Sequence, residues 1–179
     1  FTGTPLTVCA GSPVPFTNTS TGTTGSTSYS WNFGAGATPA TANTAGPHSV
    51  TYSTGGTKTV SLTVTEGAVN TETKTDYITV NPLPSAAGAI TGTASVCQGQ
   101  SGVGYSVPAI TGATSYSWAY SGTGATITGT TNSVTISFAS NATSGNLTVR
   151  GVNSCGNGAI STNYAITVNA LPPQPVITA

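Results

Sequence analysis

The side chains in this sequence that could do thiol, metal or acid–base chemistry are few and scattered. They are Cys9, Cys97 and Cys155, a single histidine at His48, and three carboxylates at Glu66, Glu72 and Asp76. A Ser-His-Asp hydrolase needs its histidine within reach of both a nucleophile and an orienting acid. All three acids lie between residues 66 and 76, and His48 reads as the first residue of a strand. The chain beyond Asp76 has no carboxylate side chain and no lysine. A paired-carboxylate glycosidase mechanism and a Lys-Asn isopeptide cross-link are therefore excluded there. One cysteine per region and one histidine make no metal-ligand cluster. No catalytic residue, metal or cofactor is expected, and the chain does not read as an enzyme. Three cysteines in a sequence of this type suggest an oxidising compartment. The odd number leaves at least one without a partner in the chain.

Composition narrows the partners. Charged residues make up 3% of the 179 residues, and the formal net charge is zero; ordinary soluble proteins carry about 25% charged residues. Three Lys and Arg in total cannot build a phosphate-binding stripe, so nucleic acid is excluded as a partner. No run of about 18 apolar residues is present, so no membrane insertion by a helix is expected. Thr, Ser, Asn and Gly must supply solubility. Threonine at exposed strand positions also favours sheet. A neutral surface repels itself little, which favours lateral association into a homo-oligomer or filament. Lys58 and Lys74 are expected to meet Glu66, Glu72 or Asp76 across neighbouring strands, as surface pairs worth under about 1 kcal/mol each. Asn18, Asn141 and Asn146 fit the N-linked acceptor rule, but such matches arise by chance in a chain rich in Thr and Asn.

The elements that must position these residues are organised around a stretch that occurs twice. Tyr29-Ser30-Trp31-Asn32-Phe33 and Tyr116-Ser117-Trp118-Ala119-Tyr120 both alternate aromatic with small or polar residues, the period of a strand with one buried face. They hold the only two tryptophans, which are expected to be the core anchors of two sandwiches. Val60, Leu62 and Val64 alternate with Thr59, Ser61, Thr63 and Thr65 in the clearest strand of the first half, preceded by a hairpin turn at Gly55-Gly56. The repeat has a measurable period. Val8-Cys9-Ala10-Gly11 recurs as Val96-Cys97-Gln98-Gly99, and Ile78-Thr79-Val80-Asn81-Pro82-Leu83-Pro84 as Ile166-Thr167-Val168-Asn169-Ala170-Leu171-Pro172, each shifted by 88 residues. That length suits one seven-strand sandwich. No segment has a helical period. The expected fold is all-β: a sandwich over residues 1–82, a second over 83–170, and a linker with the start of a further repeat over 171–179, where Ile177-Thr178-Ala179 resembles Ile90-Thr91-Gly92. The chain reads as a window from a tandem array joined by short Pro-containing linkers.

The first half resembles a PKD domain, an immunoglobulin-like sandwich common on cell surfaces. The matching blocks are Phe16-Thr17-Asn18-Thr19-Ser20, Trp31-Asn32-Phe33-Gly34-Ala35-Gly36, and the run from Tyr52-Ser53-Thr54-Gly55-Gly56 to Val64. Ala35 departs from the family pattern, which carries an acid between the two glycines, so any cation-binding role of that acid is lost. The second half is similar to PKD-like repeats in very large surface proteins of gliding bacteria that use type IX secretion. Its blocks are Val96-Cys97-Gln98-Gly99, Tyr116-Ser117-Trp118, Ile136-Ser137-Phe138 and Val152-Asn153-Ser154-Cys155-Gly156. Cys97 and Cys155 fall in one expected domain, and the resemblance supports a disulfide between them. Closing so long a loop stabilises a domain by up to about 4 kcal/mol. Cys9 occupies the position of Cys97 without a partner in its own half. Its options are a buried free thiol, a bond to another chain or a preceding unit, or a modification. The resemblance implies secretion to the cell surface and a structural or adhesive role. Neighbouring repeats, surface glycans and other cells are the implied partners. The rival reading is a carbohydrate-binding or spacer module beside a secreted hydrolase. It requires exposed aromatics, for which Phe1, Tyr77 and Tyr164 are the candidates.

Overall fold

A computed structural model of the chain describes residues 1–172. Among the described residues every regular element is a strand. The chain divides into two compact units, Phe1–Pro82 and a second beginning at Leu83.

The first unit contains β1 (Thr2–Gly3), β2 (Thr7–Cys9), β3 (Pro13–Thr17), β4 (Ser28–Asn32), β5 (Ala37–Thr38), β6 (Thr41–Ala42), β7 (His48–Tyr52), β8 (Gly56–Glu66) and β9 (Ala68–Asn81). One sheet has the order β1-β3-β7-β5, the other β2-β9-β8-β4-β6. The inward positions follow the sequence alternation. Val14, Phe16, Val50, Tyr52, Val60, Leu62, Ile78 and Val80 close the core between the two sheets.

The second unit contains β10 (Thr91–Gly92), β11 (Ser95–Cys97), β12 (Val103–Ser106), β13 (Ser115–Tyr120), β14 (Ala125–Thr128), β15 (Ser133–Phe138), β16 (Gly145–Asn153), β17 (Gly156–Asn157) and β18 (Tyr164–Asn169). Its sheets run β10-β12-β15-β14 and β11-β18-β16-β13, with β17 added onto β16. This repeats the first unit strand for strand, except that β6 has no counterpart in the second unit and β17 none as a separate strand in the first. The sequence period of 88 is thus a period of topology.

In both units the first strand splits. Its opening piece joins one sheet (β1 or β10), and its second piece crosses to the other, pairing in parallel with the last strand of the unit. All other pairings are antiparallel.

One expected turn is of a different kind. Gly55-Gly56 does not close a hairpin, because β7 and β8 belong to opposite sheets. Tyr52 and Leu62 both point into the core, so the chain must cross from one sheet to the other between them. Gly56 takes φ +98°, and a Cβ on Gly55 would lie 2.8 Å from the Pro82 ring. Glycine is required at both places for different reasons. The further repeat expected beyond residue 172, including Ile177-Thr178-Ala179, lies outside the described residues.

Candidate functional site

The two tryptophans sit alike but are not equally enclosed. Trp31 Nε1 donates to the Thr44 carbonyl at 3.0 Å, and Trp118 Nε1 to the Thr131 carbonyl at 2.9 Å. Trp31 is 1% exposed and is ringed by Phe1, Phe16, Phe33 and His48, with ring centroids 5.3–6.4 Å away. Trp118 is only half-buried against its core. The difference is the missing strand. β6 pairs with Trp31's strand, whereas β13 is the outer strand of its sheet.

The cysteines correct the expected pairing. Cys97 is a free, exposed thiol, whereas Cys9 and Cys155 are disulfide-bonded. The expected Cys97–Cys155 bond is not formed, and Cys9 is not the unpaired thiol. The register explains why. Cys97 lies opposite Asn169, beyond the end of β18 that pairs with Gly145 at the start of β16. Cys155 follows Asn153 at the far end of β16, in the turn into β17. The nine residues of β16 separate them, a span of about 30 Å at a strand's rise. A disulfide needs Cα atoms within about 7 Å. Cys9 lies opposite Asn81, at the end of the first unit from which the chain leaves. The Cys155 turn sits on Leu83 and Pro84, where the chain enters the second unit. A Cβ on Gly156 would lie 3.3 Å from the Leu83 side chain, and one on Gly158 would lie 2.7 Å from the Pro84 carbonyl oxygen.

The acid–base residues are all committed to structural contacts. His48 packs edge-on against Trp31 and Phe33, with Nε2 3.1 Å from the Thr44 carbonyl oxygen. Glu66 accepts hydrogen bonds from the hydroxyls of Thr24 and Thr27. Glu72 pairs with the Phe1 ammonium at 2.9 Å and with Lys74 at 3.6 Å. Asp76 accepts from Thr57 Oγ1 at 2.6 Å. Lys58 makes no surface pair. It is 5% exposed and donates to Thr54 Oγ1 at 3.1 Å and to the Gly55 carbonyl at 3.2 Å, capping the sheet-to-sheet crossing. The expected surface pair is thus not formed, because Lys58 shares the strand parity of Val60 and Leu62 and so turns to the inner face. Among the described residues no group of three or more His, Cys, Asp or Glu side chains is placed to hold a metal. An open cleft of about 460 Å³ lies between the 20–23 loop and the β8–β9 hairpin, with Leu62 and Val64 among its lining and Glu66, Asn70 and Thr71 at its polar side.

The three aromatics considered for a glycan platform are occupied otherwise. Phe1 is 5% exposed and belongs to the core. The Tyr77 hydroxyl accepts from the Gly3 amide at 2.8 Å and lies 3.2 Å from its carbonyl oxygen. The Tyr164 hydroxyl donates to the Gly92 carbonyl at 2.5 Å. The two tyrosines hold equivalent places, each clamping the glycine of its unit's opening strand. Opposite each glycine stands an aromatic, Phe16 for Gly3 and Tyr105 for Gly92.

Two further tyrosines are set deep. Tyr52 donates to the Phe33 carbonyl at 2.9 Å, and Tyr105 to that of Thr93 at 2.8 Å. Burial pushes both hydroxyls up to about 12 from an ordinary 10.0, with the neighbouring Tyr164 and Tyr120 adding to the rise at Tyr105.

Residues 2–80 match the PKD domain model, and residues 83–166 match that of the PKD-like domain. The chain is a tandem of two PKD-family domains. No curated protein matches it. Among solved structures it is similar to murine CEACAM1b, at 12% identity and a TM-score of 0.43, over 93% of this chain and 98% of that one. The tandem Ig repeats of Dlar align at 14% identity and a TM-score of 0.34, over 96% of each chain. SGBP-B of a Bacteroides ovatus mixed-linkage glucan utilization locus, solved in complex with a mixed-linkage heptasaccharide, aligns at 12% identity and a TM-score of 0.30. That alignment covers 91% of this chain and 42% of SGBP-B. The PKD pair carries Ala35, and no acid, between Gly34 and Gly36. PKD-family pairs of this kind suggest a structural or spacer module.

Proposed function

We propose that the tandem PKD pair is a load-bearing, adhesive repeat segment of a secreted bacterial cell-surface protein or extracellular filament. The observation that carries this reading is the parallel pairing of first and last strands in both domains. Thr7–Cys9 lies beside Thr79–Asn81, and Ser95–Cys97 beside Thr167–Asn169. When the two ends of such a domain are pulled apart, the parallel strands slide past each other. Their hydrogen bonds then load together, in shear, instead of opening one at a time. The flanking bonds repeat as well. The Thr79 amide donates to Leu6 at 2.7 Å and the Thr167 amide to Ala94 at 2.8 Å; Ala10 donates to Asn81 and Gln98 to Asn169, each at 2.9 Å.

Disulfide-bonded Cys9 and Cys155 suit an oxidising extracellular setting. The sparse charge leaves trypsin few places to cut, namely Lys58, Lys74 and Arg150, of which Lys58 is buried. The carbohydrate-module reading loses its support with the aromatics, since Phe1 is buried and Tyr77 and Tyr164 are hydrogen-bonded to glycines.

Antibodies raised against the folded chain, applied to intact and to permeabilised cells of the organism that encodes it, test the reading. Labelling of intact cells, with Fab fragments reducing cell attachment to surfaces, is the expected result. Labelling only after permeabilisation would overturn the surface role. Full labelling with no effect on attachment would remove the adhesive part and leave a spacer.

A further inference from the structure

The last strand of the first domain is much longer than its counterpart in the second. β9 has 14 residues and β18 has six. The strand β2 covers only Thr79–Asn81 of β9. Over residues 68–76, β9 has β8 on one side and, among the described residues, no strand on the other. In the second domain β11 covers Thr167–Asn169, so only residues 164–166 of β18 are left open.

The backbone groups on this open side have a definite phase. The Thr79 amide points to Leu6, away from β8, so Ile78 and its partner Lys58 turn toward each other. Between Lys58 and Val60 the ladder takes its extra residues on β9, where Asp76 has φ +50°. β8 itself runs on unbroken, so Val60, Leu62 and Val64 turn to Lys74, Glu72 and Asn70. The N–H and C=O groups of Thr71 and Thr73 therefore face the open side. Residues 68–73 are all exposed, Val69 by 68%. Such a row of donors and acceptors is a template for one more strand.

The side chains say which strand fits. Glu72 and Lys74 flank Thr73. When two copies of this edge run antiparallel with Thr73 opposite Thr73, their outward-turned backbone groups meet. Glu72 of each chain then stands opposite the partner's Lys74, on the same face of the sheet. Centring the pair on Glu72 or on Lys74 instead sets like charges directly opposite, which is unfavourable. Within its own chain Glu72 holds the Phe1 ammonium at 2.9 Å and Lys74 at 3.6 Å, yet the two side chains stay 52% and 28% exposed. Both can still reach across a new strand pair.

We propose that the open edge of β9 docks onto the same edge of a second copy of the chain, antiparallel about a two-fold axis at Thr73. This deepens the filament reading by naming the surface through which neighbouring chains join. One short strand pair is a small interface, so two single chains associate weakly. Many copies along adjacent filaments would reinforce one another.

The test is cross-linking of the full chain carrying Cys97→Ser. In the proposed register the two Thr73 Cα atoms are about 5.5 Å apart, within the range a disulfide spans. Thr73→Cys, held at high concentration in a glutathione redox buffer, should give a dimer whose link peptide mapping places at position 73. Val69→Cys lies on the same edge and is more exposed, but its two copies would stand far apart, and it should stay monomeric. In the Thr73→Cys chain, Glu72→Lys should lower the dimer fraction several-fold, and adding Lys74→Glu should restore it. Circular dichroism establishes that each variant is folded. A folded Thr73→Cys chain that stays monomeric would overturn the proposal, and Lys74 with the Asp76 irregularity would then be guards against pairing. Equal linking through Val69→Cys, or a dimer fraction indifferent to the charge reversal, would overturn it as well. None of these failures touches the cell-surface reading, which is decided by labelling of intact cells.

Discussion

At the scale of single residues, the recurring device is a glycine held between two aromatics. Gly92 has Tyr105 across the strand pair and the Tyr164 hydroxyl on its carbonyl; Gly3 has Phe16 and Tyr77 in the same places. An added Cβ at Gly92 would fall 2.3 Å from the Tyr105 ring, and at Gly3 2.6 Å from that of Phe16. Neither ring can retreat without moving core neighbours. Gly92→Ala is therefore expected to destabilise the second domain by about 1–3 kcal/mol, the usual result of overpacking. Tyr164→Phe, which loses only the hydroxyl bond, should cost about 1 kcal/mol. Urea unfolding followed by circular dichroism checks both, and equal effects would mean that the ring contact is not what makes glycine necessary.

The buried tyrosines give a pH dependence with a definite sign. The hydroxyls of Tyr52 and Tyr105 are pushed up to about 12 in the folded chain and ionise near 10.0 in the unfolded one. Between those values the unfolded chain loses protons that the folded chain keeps, so folding stability falls as pH rises. The stabilisation is fully present below pH 10 and is lost on passing through 12. Ultraviolet titration of phenolate should show two tyrosines ionising last, together with alkaline unfolding. Tyr52→Phe should flatten the stability profile in this window for the first domain.

Much of this scale was legible in the sequence, because alternation is a property of the strand itself. Val60 and Leu62 face inward where the period placed them. What was not legible depends on the opposite sheet. Tyr77 and Tyr164 look exposed when only their own strand is counted, and only the crossing of the opening strand brings a glycine backbone to their hydroxyls.

At the scale of elements, the informative contrast is between β4 and β13. Their sequences predict the same buried tryptophan, but burial of a strand residue depends on what flanks the strand. The two-residue strand β6, in a stretch the sequence marks only as a polar loop, gives β4 a second neighbour. The expected consequence is spectroscopic. Trp31 should emit at shorter wavelength and resist acrylamide, while Trp118 should supply most of the quenchable emission. Comparing the wild-type chain with Trp118→Phe checks this, and a variant as quenchable as the wild type would contradict it. The cysteine pairing failed in the sequence reading for a related reason. Membership of one domain does not fix which end of a sheet a residue occupies, and the parallel placement of β11 beside β18 carries Cys97 away from the β16–β17 turn.

At the scale of the whole molecule, the period of 88 residues was enough to establish two copies of one topology, and the parallel clamp of each copy followed only from strand register. That clamp makes a mechanical prediction. With its cysteines reduced and alkylated, a chain pulled by its ends should give two unfolding events, each starting with the shear of its first and last strands. Thr79→Pro removes the amide that donates to Leu6 at 2.7 Å in the first clamp, and Thr167→Pro the matching amide that donates to Ala94 at 2.8 Å in the second. Each variant should lower the unfolding force of one domain and leave the other event unchanged. A core substitution away from the clamp, such as Phe33→Leu, separates mechanical from thermodynamic effects. It should lower the urea midpoint of the first domain while leaving its force closer to wild type than Thr79→Pro does. If the two variants lower the force only in proportion to the stability each has lost, the parallel strands carry no special share of the load. The tandem would then act as a linker of fixed length, and not as a structure selected to bear tension.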